Sequence, residues 1–318
     1  MSNWFNKLIS KKKNQVSAAL GVSVTPRGAS WCVLEKRGGQ TVMTGSAVLE
    51  GQFTTPREGL LALQREHPLP VLPCHISLSH HYYNMLLVDA PDVPDGELRE
   101  AVKWRVKDLI TQPVEQMVVD VFRLPEDAYR GRMKMLYTAL MEKAQVAALV
   151  ETCEALQLPL QSVGIAELAL AAMVRHQAEL ENLGLALLFL TGDDGSINLV
   201  ENGFLYLTRN LELNAMSNYS NTIEFNQDPT DNLALDIQRS LDYYESQLGK
   251  SGVNRLYVIT ESVEQQQWCD GLSQRLPIRA IPFELSGCVE YAADLTILQQ
   301  GLLAPAVGMA MGADRVPA

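Results

Sequence analysis

Three groupings in this sequence have residue types that could do chemistry. Gly249-Lys250-Ser251 has the ending of a phosphate-binding loop, where backbone N–H groups and a lysine cradle phosphates at the start of a helix. Tyr244 stands where the first glycine of such a loop belongs, and the triplet follows a helical pattern instead of preceding one. Cys74 and His75, with His80 and His81 close by, offer metal-ligating atoms. Cys74 and His75 fall on a strand-like run whose alternation sends neighbours to opposite faces, so a structural role is expected and no metal site is assigned. Five histidines give no Ser-His-Asp set that order alone can argue, and no catalytic residue is assigned. The third grouping is a surface. On a helical pattern from Asp95 to about Ile110, Leu98, Val102, Val106 and Leu109 form the apolar stripe, while Trp104 points the other way, among Glu97, Glu100, Lys107 and Asp108. An aromatic on a charged face is a binding anchor or is covered by a neighbouring element.

The elements that must position these residues fit a soluble α/β chain. At 318 residues there is room for two domains, with 47% apolar and 20% charged residues. A net charge of -11 makes nucleic acid a poor partner. Five scattered cysteines with no C-x-x-C pair suggest neither a disulfide framework nor a zinc site. No apolar run approaches the roughly 20 residues of a membrane helix, and no signal-peptide core opens the chain, so a cytoplasmic protein is expected. Residues 1–15 stand apart: Trp4, Phe5, Leu8 and Ile9 with Lys7, Lys11, Lys12 and Lys13 read either as a basic amphipathic turn for peripheral membrane contact or as a frayed tail.

From residue 16 the pattern turns β-rich. Runs 16–24, 30–36 and 41–49 are predicted strands, divided by Pro26-Arg27-Gly28 and Gly38-Gly39. A helix over 55–67 and a strand over 71–79 follow. An insert of about 80–156 then brings the Trp104 helix, capped by Asp95, strands 117–122 and 133–141 around a polar turn, and a helix over 142–156. After strand 160–163 and helix 167–176, strands 185–190, 196–200 and 204–209 repeat the three-strand opening, with Asn202-Gly203 as the turn. A helix over 233–248, a strand over 255–260, a helix through Leu276 and a C-terminal helix after Leu302 complete the repeat. Residues 217–229 read as a loop. The boundaries are a first lobe over 16–178 and a second over 183–318.

Residues 233–248 read LALDIQRSLDYYESQL, with Leu233, Ile237, Leu241, Tyr244 and Leu248 on one stripe. This string, the run REAVKWRVKDLITQP from Arg99 to Pro113 and the repeated order of elements resemble the PilM family of type IV pilus assembly over nearly the whole chain after Val16. The resemblance implies an actin-like (ribonuclease H-like), duplicated two-lobed α/β fold with an α/β insertion subdomain in the first lobe. It also implies a nucleotide cleft between the lobes, in which the family's first hairpin reads Gly-Ile-Asp-Ile-Gly. Here the matching run is Gly21-Val22-Ser23-Val24-Thr25, with Ser23 at the aspartate position and Thr25 at a glycine. The second Asp-Ile-Gly aligns with Phe189-Leu190-Thr191, so phenylalanine replaces the carboxylate that would position magnesium. Thr260-Glu261-Ser262 lacks the glycine-rich adenosine loop, and only Ala306 to Ala310, around Gly308, keeps a small-residue helix start.

These departures predict that ATP hydrolysis is lost and that ATP/Mg binding is weak or absent, with no other cofactor expected. The resemblance further implies a scaffold at the inner face of the inner membrane. Its partner would be the cytoplasmic N-terminal peptide of a PilN-like inner-membrane protein, with other platform components and the assembly ATPase as further contacts. The peptide would lie in a groove for which Trp104, Tyr82 and Tyr83 are the candidates. The alternatives are a nucleotide-gated ATP-binding protein of the same platform and a component of a related type II secretion platform.

Overall fold

The computed structural model describes residues 18–175, 184–191, 194–213, 229–261 and 263–312. The predicted N-terminal turn and most of the loop over 217–229 lie outside them.

The chain opens with an antiparallel meander, β1 (Ala18–Thr25), β2 (Gly28–Arg37) and β3 (Gln40–Glu50). The Gly38-Gly39 turn needs its glycines, because both hold positive φ, 58° and 90°. Helix α1 (Pro56–Glu66) starts on a capping box between Thr55 and Glu58, with Pro56 pre-set for the first turn. Strand β4 (Cys74–Leu78) then lies parallel to β1.

An inserted layer follows: β5 (Asn84–Asp89), α2 (Asp95–Val106), β6 (Met117–Arg123) and β7 (Met135–Glu142), the strands in the order β5-β7-β6. Leu98, Val102 and Val106 are buried with Val88, Val119, Leu136 and Leu140 in a core of the insert's own. Two expectations need correcting. Pro94, not Asp95, is the N-cap, so Asp95 is the first helical residue. The helix stops at Val106, and Leu109, expected on the buried stripe, is 60% exposed because the 3.6-residue period no longer carries it inward. Helix α3 (Lys143–Ala155) places Leu149 and Cys153 in the first lobe's core with Leu60 and Leu63, so the part with its own core runs from β5 to β7. Strand β8 (Leu160–Ile165) completes the sheet β3-β2-β1-β4-β8, and α4 (Ala166–Arg175) follows.

The second lobe repeats this order. A meander of β9 (Gly184–Thr191), β10 (Asp194–Glu201) and β11 (Phe204–Glu212) turns at Asn202-Gly203, both at positive φ, as a tight hairpin turn requires. Helix α5 (Pro229–Ser246) buries Leu233, Ile237, Leu241 and Tyr244 on one face, as the stripe predicts. Each such side chain contributes about 1.5–3 kcal/mol by leaving water. Strand β12 (Arg255–Thr260) lies parallel to β9, and α6 (Gln265–Arg275) leads to β13 (Arg279–Pro282), which the sequence reading lacks. The sheet order is β11-β10-β9-β12-β13, matching the first lobe strand for strand and direction for direction. The last helix, α7 (Ile297–Ala310), starts on a capping box of Thr296 and Gln299, five residues before the expected Leu302. Among the described residues no helix is long and apolar enough to cross a membrane.

Candidate functional site: the cleft between the lobes

Both hairpins that face the junction close in the same register. Thr25 pairs with Gly28 across Pro26-Arg27, and Thr191 pairs with Asp194 at the same spacing in sequence. Counting back along the strands makes Ser23 the counterpart of Phe189, and Gly21 the counterpart of Leu187. Directly paired residues share a face. Ser23 therefore lies in a row with Ser30 on β2 and Ser77 on β4, while Phe189 lies in a row with Ser196 and Ile259.

The first-lobe row faces α7. The Ser30 hydroxyl donates to the Leu302 carbonyl at 2.7 Å, and a Cβ on Gly21 would stand 2.0 Å from the Ala306 carbonyl oxygen. Glycine is required there for the helix backbone to reach the sheet. Ser23 and Thr25 are buried, and Thr25 Oγ1 donates to the Gly28 carbonyl while accepting from the Arg27 N–H. The threonine hydroxyl thus secures the turn. Phe189 and Thr191 are also buried, the former in the apolar cluster that contains Leu187, Leu303, Ala304 and Val307.

Gly308 serves another close approach. A Cβ on it would stand 2.0 Å from the Ala169 carbonyl oxygen, where α7 crosses α4. The segment Ala306–Ala310, expected to start a helix, instead ends α7; the apolar, small-residue composition suits either end, and the capping box at Thr296 decides.

The two lobes border an open cleft of about 890 Å³. The first lobe contributes the Pro26-Arg27 turn and the segment from Glu50 to Thr54. The second contributes Leu190, Leu213, Thr260, Glu261, Glu264 and Trp268, and α7 contributes Leu298 and Leu302. Gly21, Ser23, Thr25, Phe189, Thr191 and Gly308 are not among the lining residues. The lining mixes apolar side chains such as Phe53 and Trp268 with one arginine and three glutamates. Arg27 offers a cation at the first hairpin turn; the glutamates make the cavity net acidic, which repels a polyphosphate unless a divalent cation intervenes. Among the described residues no group of three or more His, Cys, Asp or Glu side chains could hold a metal ion. His75 Nδ1 is 2.9 Å from Ser162 Oγ, and His81 Nδ1 is 2.9 Å from Ser79 Oγ.

The three partner-groove candidates separate. Trp104 is 75% exposed, with Lys107 Nζ 5.7 Å from its ring centroid. Tyr82 and Tyr83 are buried in the first lobe's core. The Tyr82 hydroxyl donates to the Phe53 carbonyl at 3.1 Å, and the Tyr83 hydroxyl donates to Glu167. Burial holds the Glu167 carboxyl above the usual carboxylate range against the lowering effect of that bond, and burial with the carboxylate beside it raises the Tyr83 phenol well above its ordinary value. A partner that reaches Trp104 therefore meets no open pocket made by these tyrosines.

Two sheets of identical order, related by duplication and joined by crossing helices over a cleft, define the actin-like two-lobed class. No family model matches the chain, and no curated protein matches it. Among solved structures it is similar to a PilM-PilN type IV pilus biogenesis complex at 17% identity, over 95% of this chain and 100% of that one, with a TM-score of 0.72. It is also similar to a protein of actin-like ATPase fold and unknown function from Bacteroides thetaiotaomicron, at 12% identity over 91% and 96% of the two chains, with a TM-score of 0.54. The cytoplasmic domain of EpsL, an inner membrane component of the type II secretion system of Vibrio cholerae, aligns at 14% identity over 91% and 94%, with a TM-score of 0.48. The fold is actin-like.

Sequence reasoning brought Leu190, Thr260 and Glu261 to the cleft but missed the rest of its lining. Phe53, Glu264 and Trp268 come together only through the tertiary fold. Pro26-Arg27 was a further available signal, a basic residue on a predicted hairpin turn.

Proposed function

We propose that this chain is a non-catalytic cytoplasmic scaffold of a type IV pilus assembly platform, of the MshI kind that serves mannose-sensitive pili. It binds the cytoplasmic N-terminal peptide of a PilN-like inner-membrane protein at the inner face of the inner membrane. The observation that carries this reading is the end-to-end likeness to the PilM-PilN structure, insert included. The loss of catalysis is supported by the two hairpins: Ser23 and Phe189 occupy equivalent positions by strand register, and neither supplies a carboxylate. Trp104 on the insert is the proposed anchor for the peptide, since a solvent-facing tryptophan has large apolar area to bury.

Titration with a synthetic peptide of the PilN-like protein's cytoplasmic N-terminus tests the reading. Binding that Trp104→Ala weakens at least tenfold, with an unchanged circular dichroism spectrum, is expected. Equal affinity would remove Trp104 from the groove, and no binding to the native chain would remove the partner.

One observation favours the nucleotide-gated alternative: the cavity of about 890 Å³ is large enough for a nucleotide and has Arg27 at its edge. Micromolar Mg-ATP binding would bring that reading forward.

A further inference from the structure

The loop that joins β6 to β7 leaves the insert and packs on the second lobe. Leu124 and Ala128 are buried among second-lobe side chains, not in the insert's core. Asp127 accepts the Tyr206 hydroxyl at 2.7 Å and pairs with Lys250, whose ammonium also meets Glu201 at 2.8 Å. The Lys250 side chain is 9% exposed and lies 4.5 Å from the Tyr206 ring centroid. Burial opposes its charge, but hydrogen bonds to Asp127, Glu201 and Tyr206 outweigh this and hold its pKa above the ordinary lysine value. The Tyr129 and Tyr243 hydroxyls share a 2.9 Å hydrogen bond.

The backbone of this loop is strained toward the same contact. Tyr129 and Arg130 hold φ of 54° and 57°, in the left-handed region that bulky residues rarely adopt. Such conformations persist where surroundings over-determine them. Here the surroundings belong to the second lobe: a Cβ on Gly249 would stand 2.3 Å from Arg130 Cγ. The lobes are also tied where Ser30 Oγ donates to the Leu302 carbonyl, and where Met43 N–H donates to the Glu290 carbonyl at 2.7 Å and Glu290 N–H donates to the Thr41 carbonyl at 2.9 Å.

We propose that the β6–β7 loop is a latch that holds the second lobe against the insert and fixes the width of the cleft. A cleft between two lobes admits a bulky ligand when the lobes part about a hinge. Parting here would withdraw Ala128 from the second lobe's core and separate Asp127 from Lys250, which would keep Glu201 but lose one of its two carboxylate partners. The tie at Glu290 is backbone to backbone, whereas the latch is made by side chains, so substitution can cut it. This inference is independent of the function proposed above.

Spin labels on Leu61→Cys in the first lobe and Leu235→Cys in the second, both exposed positions, in a Cys288→Ser background, report the interlobe distance by pulsed electron resonance. The latched protein should give one narrow distribution, the same with and without Mg-ATP. Asp127→Ala combined with Tyr129→Phe should broaden it or shift it to longer distance. If circular dichroism shows that the double variant is unfolded, Tyr129→Phe alone should change the distribution in the same direction. A broad distribution in the latched protein, or one that the cut latch leaves unchanged, would overturn the proposal.

Discussion

The two lobes share one sheet order, yet their corresponding central rows are filled in opposite ways. In the first lobe the helix-facing row of β1 is Gly21, Ser23 and Thr25, small enough for the α7 backbone to lie against the sheet. In the second lobe the corresponding row of β9 is Leu187, Phe189 and Thr191, and the two large side chains are buried in an apolar cluster with residues of α4 and α7. The duplicated frame fixes where these rows sit; it does not fix what fills them. One row is closed by backbone approach and the other by apolar volume. In both, the residue at the middle of the row, Ser23 or Phe189, is buried and is not a carboxylate.

The most severe way to break this comparison is to put charge into the filled row. Phe189→Asp removes a large apolar side chain and buries an unpaired carboxylate. We expect it to destabilise the protein by at least about 3 kcal/mol in chemical denaturation, without restoring Mg-ATP binding. Gly21→Leu gives the first lobe the second lobe's residue. It should cost about 3 kcal/mol or more by forcing α7 off the sheet, whereas Leu187→Ala, which opens space in the other row, should cost about 2–5 kcal/mol and leave the helix in place.

A smaller effect comes from Glu167, the buried acid that ties α4 to Tyr83. Its pKa is raised in the folded protein, so the folded state holds its proton to higher pH than the unfolded chain does. Its contribution is fullest below about pH 4.5 and declines as pH rises from there through the folded pKa. Glu167→Gln should flatten that part of the stability profile; an unchanged slope would show that Glu167 does not set it. The smallest effect is on thiols. Burial pushes Cys32 and Cys269 up to about 12 and Cys153 up to about 11, and raises Cys74 as well, while Cys288 is half-buried. Alkylation of the folded protein at pH 8 should therefore modify Cys288 first by a wide margin, read by mass spectrometry.

What was legible in the sequence is what local physics decides. The stripe of Leu233, Ile237, Leu241 and Tyr244, the Asn202-Gly203 turn and the Thr55 cap each carry their structure within a few residues. The repeat of strand, hairpin and helix patterns was enough to anticipate the duplicated fold. Strand β13 was not legible because it has four residues and ends at Pro282. The start of α7 was legible in the Thr296–Gln299 box, but the small residues around Gly308 drew the reading to the wrong end of that helix. The site was less legible still. Tyr82 and Tyr83 look like surface aromatics until the fold brings Phe53 and Glu167 to their hydroxyls, and the cleft lining is assembled from segments far apart in the chain.

The central proposal is that the cleft is kept as architecture and does not serve as a nucleotide site. Calorimetric titration of the purified protein with Mg-ATP tests it most directly. The account predicts no binding heat and no thermal stabilisation at millimolar nucleotide. Saturable binding in the micromolar range would contradict it, and would mean that Arg27 and the remaining lining accept a nucleotide without either carboxylate.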